Sequence, residues 1–156
     1  MALYLENLDA RTRQLMLEEM NYDIAHNQLH ISPVLSGQGQ RDYPNLLREA
    51  IENGNEETLA QSLREHRHLL RSTQKRRPSG GYTIATVPAT AAETLAEGEF
   101  NRFYIRALCR RALEDGIMEL VVYRAKPISQ ARPESETLVE TLISPVALLE
   151  DLRPFG

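Results

Sequence analysis

Thr90-Ala-Ala-Glu-Thr-Leu-Ala-Glu-Gly-Glu-Phe-Asn-Arg-Phe-Tyr-Ile-Arg-Ala-Leu-Cys-Arg-Arg-Ala-Leu-Glu-Asp-Gly116, continuing as Ile117-Met-Glu-Leu-Val-Val-Tyr-Arg-Ala-Lys126, is the stretch that decides the fold. Thr90-Ala-Ala-Glu93 has the form of a capping box, in which the threonine oxygen accepts a backbone N–H of the first turn and the glutamate reaches back to the cap. Gly116 stands where a left-handed residue ends a helix. Between them Phe100, Phe103, Tyr104, Ala107, Leu108 and Ala112 recur at three- and four-residue spacing, while Arg102, Arg106 and Arg110 repeat every fourth residue along another face. Strands are expected on either side, at Tyr82 to Val87 and at Met118 to Ala125. Parallel pairing of these two would give a right-handed βαβ crossover; a strand from elsewhere between them, such as Leu29 to Ile31, would make the sheet mixed.

Working outward, Asp9 can cap a helix from Ala10 to His26 with an apolar stripe of Met16, Leu17, Met20 and Ile24. Ser36 to Gln40 reads as a loop, and a second helix begins near Asp42 to Pro44 and stops at Gly54. Asn55 caps a third at once, with Leu59, Leu63, His66 and Leu70 on one side. Residues 71 to 81 read as a polar, basic linker ending in Pro78-Ser-Gly-Gly81. Near the end, Ser144-Pro145 starts a short apolar helix in which Val146, Leu149 and Leu152 are the expected docking residues. A helix that short is unstable unless it packs on something. The expected class is therefore α+β: about three N-terminal helices over residues 1–71, then a strand-helix-strand region over 82–156 with a C-terminal docking helix, together one compact domain.

The chain has 156 residues, ample for a core that folds without metals or crosslinks. The net charge of −4 conceals a segregation. Ten acids face four arginines over residues 1–63, whereas residues 64–77 hold six basic residues against Glu65 alone. Such a chain complements itself, so self-association is as natural a use of the basic segment as nucleic-acid binding. No apolar run approaches the roughly 20 residues needed to cross a bilayer, and the N-terminus lacks the pattern of a secretion signal. The expectation is a cytoplasmic protein, or a virion component, with no membrane association. The single Cys109 sits mid-helix among apolar neighbours and reads as a buried structural thiol.

Chemistry is sparse. Glu19, Asp23, His26 and His30, spaced four, three and four apart, would line one face of a continuous helix, as ligands do in di-metal bundles. Pro33 and the alternation at Leu29 and Ile31 break that continuity, so these read as solvated residues at a helix end, with no metal. His66 and His68 are two apart and cannot chelate together on a helix; they read as polar residues of a basic face. No nucleophile elbow, P-loop, dinucleotide fingerprint or Cys-x-x-Cys occurs, and neither a cofactor nor a catalytic residue is expected.

Glu97 to Gly116, with Tyr123-Arg-Ala-Lys-Pro127, Arg132-Pro-Glu-Ser-Glu136 and Leu148-Leu-Glu-Asp-Leu-Arg153, resembles a family of small bacterial and phage proteins with no assigned activity. The resemblance implies a phage or mobile-element context, where small non-enzymatic proteins serve as particle components or as binders of host machinery.

The expectation from sequence is a non-enzymatic structural or assembly protein acting through protein contacts, as a homo-oligomer or with a protein partner. Arg102, Arg106 and Arg110 would form ion pairs across a subunit contact. The alternative is a nucleic-acid-associated regulator that uses Arg71, Lys75, Arg76 and Arg77.

Overall fold

A computed structural model describes residues 5–65, 67–121 and 142–153. The chain is α+β, with helices α1 (Ala10–Ala25), α2 (Gly37–Asn53), α3 (Glu56–Arg64), α4 (Ala91–Glu114) and α5 (Pro145–Leu152). Its strands are β1 (Ser72–Arg76), β2 (Tyr82–Thr86), β3 (Leu120–Val121) and β4 (Leu142–Ile143). Contacts gather them into two compact units, one of Met1–Leu29 with Asn101–Gly156 and the other of His30–Phe100. The division falls inside α4 rather than at the 71–81 stretch, because α1 joins the second half of the chain.

In the discontinuous unit, Asp9 caps α1 as the sequence indicates, its carboxylate accepting from the Thr12 N–H at 2.9 Å. Leu15, Met16 and Met20 are buried, but Leu17 is only half-buried and Ile24 is exposed. The inward face instead takes in Thr12, Glu19 and Asp23. From α4 it receives Phe103, Tyr104, Ala107 and Ala112, all with at most 2% exposure. Each large apolar side chain so buried contributes roughly 1.5–3 kcal/mol. At the end of α4, Gly116 adopts φ 72° and Ile117 donates to the Ala112 carbonyl at 2.8 Å, the six-to-one bond that satisfies a last-turn carbonyl. β3 and β4 pair antiparallel, Leu120 opposite Ile143. Ser144 caps α5, its hydroxyl accepting from the Ala147 N–H.

In the other unit, Ser36 caps α2, so the glycine-rich Ser36 to Gln40 is a cap and first turn rather than a loop. Pro44 then lies inside α2 and leaves the Gln40 carbonyl without its helical donor. Asn55 and Thr58 cap α3 reciprocally, each side chain accepting from the other's N–H at 3.0 Å. α3 ends at Arg64, short of the expected Leu70, because the chain turns through Arg67 at φ 58° and pairs with 34–36. The Ser36 N–H reaches the His68 carbonyl at 2.7 Å, and the Leu70 N–H reaches that of Val34 at 2.8 Å. Gly39 makes this approach feasible: a Cβ there would lie 2.1 Å from the His68 carbonyl oxygen.

Among the described residues, β2 pairs antiparallel with β1, Gln74 opposite Ile84 and Arg76 opposite Tyr82, and the two-residue β3 pairs with β4. The stretch expected to be a linker is thus one arm of a hairpin. Pro78-Ser-Gly-Gly81 is its turn, with Gly80 and Gly81 at φ 97° and 76°. Residues 29–31 belong to no strand. Of the second expected strand, residues 122–125 lie outside the described residues. At the start of α4 the Thr94 N–H donates to the Thr90 carbonyl at 2.9 Å, and the Glu93 carboxylate pairs with Arg64.

Candidate interaction surface and buried charge cluster

Two features carry the unusual side chains. One is internal. Arg106, expected at a contact surface, has no exposed surface, and neither has Asp23; Glu19 is 1% exposed. The Arg106 guanidinium donates to both oxygens of Asp23 at 2.8 Å and, through Nε, to Glu19 Oε1 at 2.9 Å. Arg153, just past α5, grips the same Glu19 with two donors at 2.7 and 3.0 Å and stacks 4.6 Å from the Tyr22 ring centre. Planar guanidinium forks match carboxylates in this bidentate way. Burial on its own would push the Glu19 carboxyl up, but hydrogen bonds from Arg153 and Arg106 outweigh it and hold the carboxyl below its ordinary range. Burial likewise opposes charge on Arg106, and Asp23 and Glu19 reverse that.

Around this centre the rest of the stripe also turns inward. Arg102 donates twice to the Leu152 carbonyl, at 2.9 and 2.7 Å, closing the last turn of α5. Arg110 pairs with Glu18 at 3.1 Å, and Arg111 with Asp9 at 2.7 Å. Arg11 bridges Glu114 and Asp115. The order of these pairs along the two helices makes α1 and α4 antiparallel. Arg102, Arg106 and Arg110 are thus an intramolecular clamp on α1 and α5. Among the docking residues, Leu149 is buried, Leu152 is half-buried and Val146 is exposed.

Glu19 and Asp23 are accordingly not solvated residues of a helix end. Their four oxygens face guanidinium groups, while His26 and His30 are exposed. No cluster of His, Cys, Asp and Glu suited to a metal ion occurs among the described residues. Cys109 is buried, and burial, aided by the Glu19 charge, pushes its thiol up to about 11. His68 is a buried residue and not part of an exposed basic face. Its Nδ1 lies 2.7 Å from the Ser62 carbonyl and its Nε2 3.0 Å from an Asp42 carboxylate oxygen, so the ring joins the end of α3 to the start of α2. His66 lies outside the described residues.

The second feature faces outward. In the hairpin, Ser72, Gln74 and Arg76 share one face with Tyr82, Ile84 and Thr86, and all six are exposed. Tyr82 is 66% and Ile84 75% exposed, far more than large apolar side chains in the core. Arg71 and Arg77 are exposed at its two ends. Lys75 lies in β1 opposite Thr83, and its side chain is outside the described set. Of the expected basic residues, then, the structure brings Arg71, Arg76 and Arg77 to one hairpin, whereas Arg102, Arg106 and Arg110 belong to the other unit.

These features define an α+β protein with a locked internal charge cluster and an exposed apolar-basic hairpin. Comparison of the chain with protein-family models, curated proteins and solved structures gives no match. No helix among the described residues is long and apolar enough to cross a membrane.

Proposed function

We propose that this chain is a non-enzymatic assembly protein that acts through protein–protein contacts, with the hairpin face as its contact surface. The observation that carries this reading is the exposure of Tyr82 and Ile84 beside Arg76. Tyrosine and arginine are the residue types that dominate interface energetics, and a two-stranded hairpin is marginal until its faces are covered. Guanidinium groups bind the carboxylates of Glu19 and Asp23, and Cys109 is buried with its thiol pushed up. A phage particle component is the concrete form of this reading, and it rests on the resemblance carried by Glu97 to Gly116, Tyr123 to Pro127, Arg132 to Glu136 and Leu148 to Arg153.

The test is to express the full chain in its native host and measure the mass of the complex that contains it, before and after nuclease treatment. A nuclease-resistant complex well above the chain mass is expected, and Arg71→Glu with Arg76→Glu and Arg77→Glu should release the chain from it. A free chain, or a complex unaffected by these three changes, would remove the hairpin from the function.

A nucleic-acid-associated regulator is the second reading, favoured by the lack of any acidic residue between Glu65 and Glu93. It requires a nuclease-sensitive complex whose affinity falls steeply with salt.

A further inference from the structure

Gly98 stands in the interior of α4, where glycine weakens a helix relative to alanine. A Cβ built on it meets nothing within 4 Å. Among the described residues, neither a left-handed turn nor a close approach accounts for the glycine, so what it preserves is open space. That space is a groove of about 350 Å³ with apolar walls from Val34, Pro88, Ala91 and Leu95, floored beside Gly98 and edged by Glu99.

We propose that this groove receives the hairpin face of a second copy of the same chain, Tyr82 and Ile84 entering it and Arg76 meeting the acidic edge. The inference deepens the assembly reading above and rests on it. Three observations point to a second copy. Glu99 edges the groove and Glu97 lies two residues before it on α4, whereas the hairpin carries Arg71, Lys75, Arg76 and Arg77 with no acid. The concave apolar surface and the projecting apolar pair are of matching chemistry, and a seated tyrosine buries roughly 150–250 Å². Each copy offers both surfaces, so the contact repeats: reciprocal use closes a dimer, and head-to-tail use closes a ring or extends a filament. Tyr82, Ile84 and Arg76 supply the aromatic, aliphatic and cationic contacts typical of an interface centre.

The experiment is light scattering behind a sizing column on the purified full chain, over a concentration series to its solubility limit. The wild-type chain is expected at a multiple of its monomer mass. Gly98→Leu fills the groove with a better helix former; it is expected to be monomeric while its thermal midpoint stays at or above wild type. Tyr82→Ser, a change at an exposed site, tests the other surface independently and should raise the dissociation constant by more than about tenfold, as loss of an interface tyrosine does. A wild-type chain that is monomeric throughout, or variants that keep the wild-type mass, would overturn the self-pairing. Either result leaves the assembly reading to the cellular complex and its dependence on the hairpin arginines, so the two failures are told apart.

Discussion

Arg106 holds Asp23 through two parallel hydrogen bonds of 2.8 Å, and neither side chain has any exposed surface. Their positions are 83 residues apart, so this one contact ties α1 to α4. Glu19 joins the pair in the interior, and the half-buried Arg153 reaches it from the surface.

Removing one member strands the others. Arg106→Met leaves Asp23 buried without its cation, and the expected loss is about 3–5 kcal/mol of unfolding free energy. Replacing the set together, with Arg106→Met, Asp23→Leu and Glu19→Gln, should recover a large part of that loss, because the desolvation of the ions disappears with them. Urea unfolding followed by circular dichroism measures both; a single variant as stable as wild type would show that the cluster does not hold α1.

Acid should open the same unit. The folded-state pKa values of Glu19 and Asp9 lie below their unfolded values, so each contributes stability that is present above the unfolded pKa and is lost as pH falls through the folded one. Asp9 is held at about 2 by the Thr12 backbone N–H and Arg111. Thermal midpoints are therefore expected to stay level from neutral pH to about 5 and then decline. Asp9→Asn keeps a capping side chain but loses the ion pair with Arg111, and its decline should be shallower at the acid end. An identical slope would mean that the pair contributes nothing.

Cys109 should be silent toward thiol reagents in the native protein. Only the thiolate attacks, and a thiol pushed up to about 11 and buried holds almost none of it near neutrality. Complete reaction is expected once denaturant unfolds the chain. Labelling at comparable rates with and without denaturant would contradict the burial.

Gly39→Ala should damage the other unit. The added carbon would lie 2.1 Å from the His68 carbonyl, backbone that cannot rotate away. Overpacking of this kind costs about 1–3 kcal/mol. Amide exchange should show the loss at Ser36 and Leu70, whose N–H groups cross to the facing segment.

Much of the local structure was legible because its signals are local. Asp9, Asn55 and Ser144 mark helix starts through bonds to residues three positions on, and Gly116 marks an end through its own backbone. The hairpin is hidden in the sequence because Ser72-Thr-Gln-Lys-Arg76 has the polarity of a linker; a strand with a fully exposed face has no apolar alternation to betray it. The clamp was half visible. Arg102, Arg106 and Arg110 repeat every fourth residue, and so do Glu19 and Asp23, which are two complementary rows on two helices. Nothing in one sequence says that rows so far apart meet. Arg153 offered no periodic signal, since it acts from beyond the end of α5. Tyr82 and Ile84 read as ordinary strand residues, and only their exposure separates them from core.

The discontinuity of the first unit sets an order on its birth at the ribosome. His30–Phe100 is complete as a segment before any of Asn101–Gly156 has been made. Glu19 and Asp23 leave the exit tunnel first, yet Arg106 follows 87 and 83 positions behind them. At roughly 5–20 residues per second, the nascent amino-terminal helix waits about 4–17 s with its carboxylates in water. A chain arrested with Phe100 emerged and Arg106 still inside the tunnel is expected to lose this segment to protease while His30–Phe100 resists, and a single digestion of arrested ribosomes would show it.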